Sequence, residues 1–114
     1  MDIDKETREK IQELQLTEQN LQNFILQKQT FQVELNETIS ALEEIKKSEE
    51  EKIFKIIGQV MLKTKKSEIT EELNKKKEIF ELRIKSFEKQ EKILTEKLEK
   101  TRKEIEEKFN IPKK

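Results

Sequence analysis

The chain has 114 residues, 44% of them charged and only 32% hydrophobic, with one Gly, one Pro and no Cys, His, Tyr or Trp. Lys+Arg and Asp+Glu are both 25, so the formal net charge is zero. Such a composition is too poor in apolar material for an ordinary globular core and matches a long helix or coiled coil. The zero net charge argues against a primary nucleic-acid binder, which would need a basic excess to neutralise phosphates. Without Cys there is neither a disulfide framework nor a thiolate metal site. Without His, Cys or Tyr, the commonest general base, the thiol nucleophile and most transition-metal ligands are missing. The lone glycine, Gly58, cannot build a phosphate-cradling loop. The chain is therefore read as not an enzyme, with no cofactor and no metal. No apolar segment follows Met1-Asp2-Ile3-Asp4, and no run approaches membrane-spanning length. No membrane partner and a cytoplasmic location are expected.

A first helix is predicted over residues 4–50. Its apolar repeat is Leu14, Thr17, Leu21, Phe24, Lys28, Phe31, Leu35, Thr38, Leu42 and Ile45. The spacing alternates three and four, which is the seam of a coiled coil. No Gly or Pro interrupts it. The glutamines between Gln12 and Gln32 lie mostly off the seam and read as a solvated face.

The midpoint is different. Ile53-Phe54-Lys55-Ile56-Ile57-Gly58-Gln59-Val60-Met61-Leu62 is dense in apolar and β-branched residues. It predicts a β-hairpin over 53–64, turning at Gly58-Gln59, where glycine can adopt positive φ. A helix here would carry Gly58 in its interior and several β-branched residues, and is the weaker reading. Apolar residues fall on both faces of the first strand, as in a strand buried on both sides. A lone hairpin can protect neither its edges nor an apolar face. It is expected to pair with other copies or other subunits through Ile53, Phe54, Ile56, Ile57, Gly58, Val60, Met61 and Leu62.

A second helix is predicted over 67–110, with Ser67 as its N-cap, followed by a tail at 111–114 that includes Pro112. Its repeat is Leu73, Lys77, Phe80, Ile84, Phe87, Glu91, Leu94, Leu98, Thr101 and Ile105. Two helices of near-equal length joined by a hairpin should pair antiparallel within one molecule, as a single unit over 1–114. A fold-back centred on the turn brings Phe31 near Phe87, Phe24 near Leu94, Leu21 near Leu98 and Leu14 near Ile105. It also brings Lys28 near Glu91; snorkelling of both side chains to water is the favoured reading of that polar position. The chain ends then meet at a distal tip carrying Ile3, Ile11, Leu14, Ile105, Phe109 and Ile111. These residues either extend the seam or form an apolar patch for partners.

Two helices around one hairpin resemble the β-class subunits of prefoldin, and their archaeal rather than eukaryotic forms. The resemblance rests on Ile53 to Lys63, on Ile69-Thr70-Glu71-Glu72-Leu73, and on Leu82 to Glu91. The stretches Gln27-Lys28-Gln29-Thr30, Leu35-Asn36-Glu37-Thr38 and Ala41-Leu42-Glu43-Glu44 are also similar. The fold it implies is mainly α: an antiparallel two-helix coiled coil whose central hairpin joins a multi-subunit β-barrel. It implies a hexamer of two α-class and four β-class subunits. It further implies an ATP-independent cochaperone that captures unfolded proteins at apolar arm tips and delivers them to a group II chaperonin. By position, Ile3, Ile11, Leu14, Ile105, Phe109 and Ile111 would bind clients, and the hairpin residues would hold the assembly. The rival reading is a structural coiled-coil adaptor that oligomerises through its hairpin. A nucleic-acid-binding helical arm is disfavoured by the neutral, interspersed charge.

Overall fold

The computed structural model describes residues 4–109. In chain order these form α1 (Lys5–Lys47), β1 (Lys52–Ile57), β2 (Val60–Lys65) and α2 (Lys66–Phe109). The described residues form two compact units: a terminal unit, residues 4–28 with 85–109, and a hairpin unit, residues 29–84.

In the terminal unit, Asp4 caps α1. Its Oδ1 accepts a 2.8 Å hydrogen bond from the Thr7 backbone N–H, satisfying one of the helix's free donors. The seam follows the heptads. Thr17, Leu98 and Thr101 are buried, and Leu14, Leu21, Phe24, Phe87, Leu94 and Ile105 are half-buried. Thr7, one heptad before Leu14, is the most enclosed side chain here, with 2% of its surface exposed. The Phe24 and Phe87 rings lie 5.8 Å apart in a tilted arrangement, a geometry favourable for aromatic quadrupoles.

Lys28 and Glu91 do not snorkel away from each other. Lys28 Nζ donates to both Glu91 carboxylate oxygens, at 3.0 and 3.3 Å, and both side chains are under one-third exposed. A lone charge at a seam position would lose hydration without return; the pair lets each ion replace water with its counter-ion.

In the hairpin unit, Leu35, Thr38, Ile69 and Ile84 are buried. Thr38 is accommodated because its hydroxyl donates to the Glu34 carbonyl one turn back, at 2.8 Å. Phe31 and Phe80 pack with ring centroids 5.9 Å apart, and the Arg83 guanidinium lies 5.4 Å from the Phe31 centroid. The fold-back centred on the turn does not anticipate either of the two aromatic pairings. The connector is asymmetric: residues 48–51 separate α1 from β1, while β2 runs directly into α2.

α1 stops at Lys47, three residues before the expected end. Extending it would place Glu49-Glu50-Glu51 at the negative end of the helix dipole, whereas Lys46 and Lys47 suit the last turn. The Ser48 N–H is shared between the Glu44 and Ile45 carbonyls, at 3.2 and 3.1 Å. Lys66 Nζ then donates to the Ser48 carbonyl at 2.6 Å, and the Lys66 N–H to the Glu51 carbonyl at 2.8 Å. Lys66 thus ties the end of α1 to the start of α2. Ser67, expected as the N-cap, is already inside α2.

Two outcomes test the seam. Leu35→Ala should destabilise the fold by about 2–4 kcal/mol, the usual cost of emptying a buried leucine site, measured by thermal or urea unfolding. A Lys28/Glu91 charge-swap double-mutant cycle should return a coupling of about 1 kcal/mol; additive single-mutant effects would mean that the pair does not hold the seam.

Candidate functional site: an uncovered hairpin and an ion-paired terminal unit

β1 and β2 pair antiparallel in the register Ile57↔Val60, Ile56↔Met61, Lys55↔Leu62, Phe54↔Lys63, Ile53↔Thr64 and Lys52↔Lys65. Gly58 turns the chain with φ 59°. A Cβ there would meet no atom within 4 Å, so the requirement for glycine is the left-handed backbone and not space.

The register separates two faces. Ile53, Lys55, Ile57, Val60, Leu62 and Thr64 share one; Lys52, Phe54, Ile56, Met61, Lys63 and Lys65 share the other. Ile53, Lys55 and Thr64 are sheltered. Lys55 Nζ reaches the Glu72 carboxylate on α2 at 2.6 Å, and this contact holds the Glu72 carboxyl below its usual range. The rest of the ribbon is bare. Phe54 is 61% exposed, Ile56 68% and Met61 61%, and Ile57, Val60 and Leu62 are also exposed. The expected burial of both strand faces is therefore not supplied by the chain itself. Six large apolar side chains and both strand edges are left open.

Residues of the expected apolar tip lie in the terminal unit. Ile11, Leu14 and Ile105 are half-buried. Ile3 and Ile111 lie outside the described residues. Phe109 ends α2, and its side chain also lies outside them.

Ion pairs link the two helices of this unit. Lys10 pairs with Glu104 at 2.9 Å, Lys97 with Glu13 at 3.3 Å, Arg102 with Glu18 at 3.5 Å, and Lys108 with Asp4 at 2.8 Å. The hydrogen bond from Lys108 and those within the Thr7 cap hold the Asp4 carboxyl well below the usual carboxylate range. Lys10 lowers Glu104 in the same way, while Lys10 and Lys108 are raised by their carboxylate partners.

Sequence reasoning missed a third feature. Leu16, Leu26 and Ile93 in the terminal unit, and Val33, Ile79 and Leu82 in the hairpin unit, are exposed. They sit off the seam, at the outer positions of the heptads. The sequence signal was available: each occupies a position that the repeat assigns to solvent.

Among the described residues no chemistry-bearing cluster competes with these surfaces. A groove of about 790 Å³ beside the hairpin base is lined by Lys52, Lys65, Lys66, Thr70, Glu71 and Lys75, among others. It holds exposed lysines and glutamates with nothing to desolvate them. Among the described residues no carboxylate group could hold a metal ion, and no helix is long and apolar enough to cross a membrane.

Comparison with known proteins decides the family. Residues 8–110 match the family of prefoldin subunits. The chain belongs to the prefoldin family. It is 46% identical over 90 residues to prefoldin subunit beta of Thermococcus onnurineus, covering 78% of each chain. It is 35% identical over 97 residues to prefoldin subunit beta of Archaeoglobus fulgidus, covering 84% of each. The crystal structure of the prefoldin beta subunit from Thermococcus strain KS-1 superposes with a TM-score of 0.87 at 33% identity, covering 97% of this chain and 98% of that one. The resemblance to a β-class prefoldin subunit, and the fold of two long helices with one antiparallel hairpin, both hold. Prefoldins are non-enzymatic chaperones that assemble from several subunits, which fits an open hairpin and a chain without His or Cys.

The ion pairs set a pH window. A carboxyl whose folded pKa is lowered contributes stability above its ordinary pKa and loses it as pH falls through the lowered value. A raised lysine contributes below its ordinary pKa and loses that contribution as pH rises through the raised value. The Asp4–Lys108 and Lys10–Glu104 pairs therefore act across neutral pH and fail at both extremes. Below about pH 4, amide exchange near both ends of the described chain should accelerate more than in the Leu35 region. Asp4→Asn with Glu104→Gln should flatten that difference; an unchanged acid response would assign it elsewhere.

Proposed function

We propose that this chain is a subunit of an ATP-independent cytoplasmic cochaperone, assembled from two α-class subunits and four β-class subunits of this kind. The hairpins join into a shared β-barrel, and the paired helices extend as arms. The observation that carries the reading is the uncovered hairpin in a chain of the prefoldin family. Phe54, Ile56, Ile57, Val60, Met61 and Leu62 expose about half or more of their surface, a combination that a soluble monomer does not tolerate well. Burial of each such side chain contributes about 1.5–3 kcal/mol, so the hairpin alone can drive association.

In this reading the arm tips bind unfolded clients through Ile3, Ile11, Leu14, Ile105, Phe109 and Ile111, and pass them to a group II chaperonin. Half-burial of Ile11, Leu14 and Ile105 beside surface ion pairs supports a tip that opens at little cost. Surface ion pairs contribute only about 0–1 kcal/mol each, and the last turns of a helix fray readily. Weak apolar contacts from several arms add through avidity and need no particular client sequence. Release requires only competition, with no nucleotide.

The complex purified with its native partners should suppress aggregation of a chemically unfolded protein without ATP. Making Ile105, Phe109 and Ile111 polar should weaken suppression while assembly stays intact. Suppression unchanged by those substitutions would move the client site away from the tips. An intact complex with no suppression would favour the structural adaptor. Separately, the combined variant Phe54→Ser, Ile56→Ser and Met61→Ser should lower assembly affinity by at least about a hundredfold, with helicity retained.

A further inference from the structure

The outer face of α1 in the terminal unit carries no charge. Over residues 14–27 the only charged side chain is Glu18, and it is turned to α2, where Arg102 meets it at 3.5 Å. The positions that the heptads direct away from the seam are Gln15, Leu16, Gln19, Gln22, Asn23 and Leu26, and all are exposed. Leu16 and Leu26 leave 58% and 60% of their surface open. The outer positions of α2 in the same unit are covered differently: Lys92, Glu96, Glu99, Lys100 and Lys103 are charged and exposed. Solubility alone is met by that charged covering and does not ask for a neutral one. Gln32, in the other unit, uses its amide on the Asn36 side chain at 3.2 Å. Among the described residues, none of the amides of Gln15, Gln19, Gln22 and Asn23 is taken in that way.

The chemistry of this face narrows what it can bind. A side-chain amide presents a donor and an acceptor together, as a peptide group does. A neutral surface repels partners of neither sign. Leu16 and Leu26 stand about 15 Å apart along the helix axis, too sparse for the continuous apolar core of a stable interface between folded subunits. A folded protein has few backbone groups to spare, whereas an unfolded chain offers a donor and an acceptor at nearly every residue. We propose that the Gln15–Leu26 face of α1 binds the backbone of unfolded polypeptides in extended conformation. The amides pair with peptide N–H and C=O groups, and Leu16 and Leu26 touch apolar side chains. At about 3.3 Å per residue the face accommodates about five residues of extended chain. The inference rests on the reading of this subunit as part of a client-capturing cochaperone. It adds a surface separate from the apolar tips and different in chemistry, one that reads the peptide unit and not the side chains. Each amide contact exchanges with water at small net gain, so binding is weak per arm and depends on several arms acting together.

The test titrates the complex, purified with its native partners, with two labelled probes read by fluorescence anisotropy. One is a synthetic, uncharged, unstructured peptide of Ser, Ala and Leu; the other is the same peptide with alternate backbone nitrogens methylated. The variant Q15A/Q19A/Q22A/N23A removes the amides, keeps good helix formers and makes the face more apolar. It should bind the unmethylated peptide about tenfold more weakly than wild type. The methylated peptide should bind wild type about tenfold more weakly and be indifferent to the substitutions. Helicity by circular dichroism and assembly size by sedimentation velocity should be unchanged. A variant that binds as tightly as wild type, or more tightly as plain apolar contact requires, overturns the proposal. So does full affinity of wild type for the methylated peptide. A changed assembly size with unchanged peptide affinity also overturns it and assigns the face to contact between copies. Failure of the underlying cochaperone reading is separately visible and overturns both: the wild-type complex would then bind neither peptide and leave aggregation of an unfolded protein unsuppressed.

Discussion

Everything in this chain depends on a single apolar stripe per helix. With hydrophobic residues at only 32% of the sequence, neither helix could stand alone in water. Each has to shelter its seam side chains against the other. That constraint explains why the seam tolerates threonines, which satisfy their hydroxyls locally, as Thr38 does on the Glu34 carbonyl. It also explains how a charge can occupy the seam: Lys28 is acceptable only because Glu91 arrives opposite it.

The hairpin inverts the same logic. There the chain concentrates apolar side chains where it has nothing to cover them. One ribbon face is partly sheltered, with Lys55 drawn to Glu72, and the other carries Phe54, Ile56 and Met61 into solvent. A soluble monomer would gain by making those residues polar. Their persistence in one short ribbon, on a frame that is otherwise charged, is the physical signature of an element that completes itself on another subunit. Membership of the prefoldin family gives that signature a setting.

The helix pairing and the hairpin were legible because their periods are strong. Every predicted seam position, from Leu14 to Ile45 and from Leu73 to Ile105, is sheltered. The turn at Gly58 followed from the only residue able to adopt positive φ freely. The aromatic pairings were not legible, because a fold-back centred on the turn assumes equal connectors. Residues 48–51 exist on one side only, for a reason that lies in the helix dipole and the Glu49-Glu50-Glu51 run. The hairpin's tether to Glu72 was also out of reach, since seventeen residues separate the partners and only the folded ribbon brings them together. Of the expected apolar tip, Ile11, Leu14 and Ile105 are half-buried, and Ile3, Ile111 and the Phe109 side chain lie outside the described residues. Outer residues such as Leu26 and Leu82, which the repeat itself marks as solvent-facing, were passed over.

The two units use charge in opposite ways. In the terminal unit, acids and bases alternate between the helices so that each finds a partner within the chain: Lys10 with Glu104, Glu13 with Lys97, Glu18 with Arg102 and Asp4 with Lys108. Such pairing fixes which helix faces which, at little gain in stability. In the hairpin, charge of a single sign lies beside an apolar surface. A zero net charge for the whole protein hides this division, because the ribbon itself, residues 52–65, carries four lysines and no acidic residue.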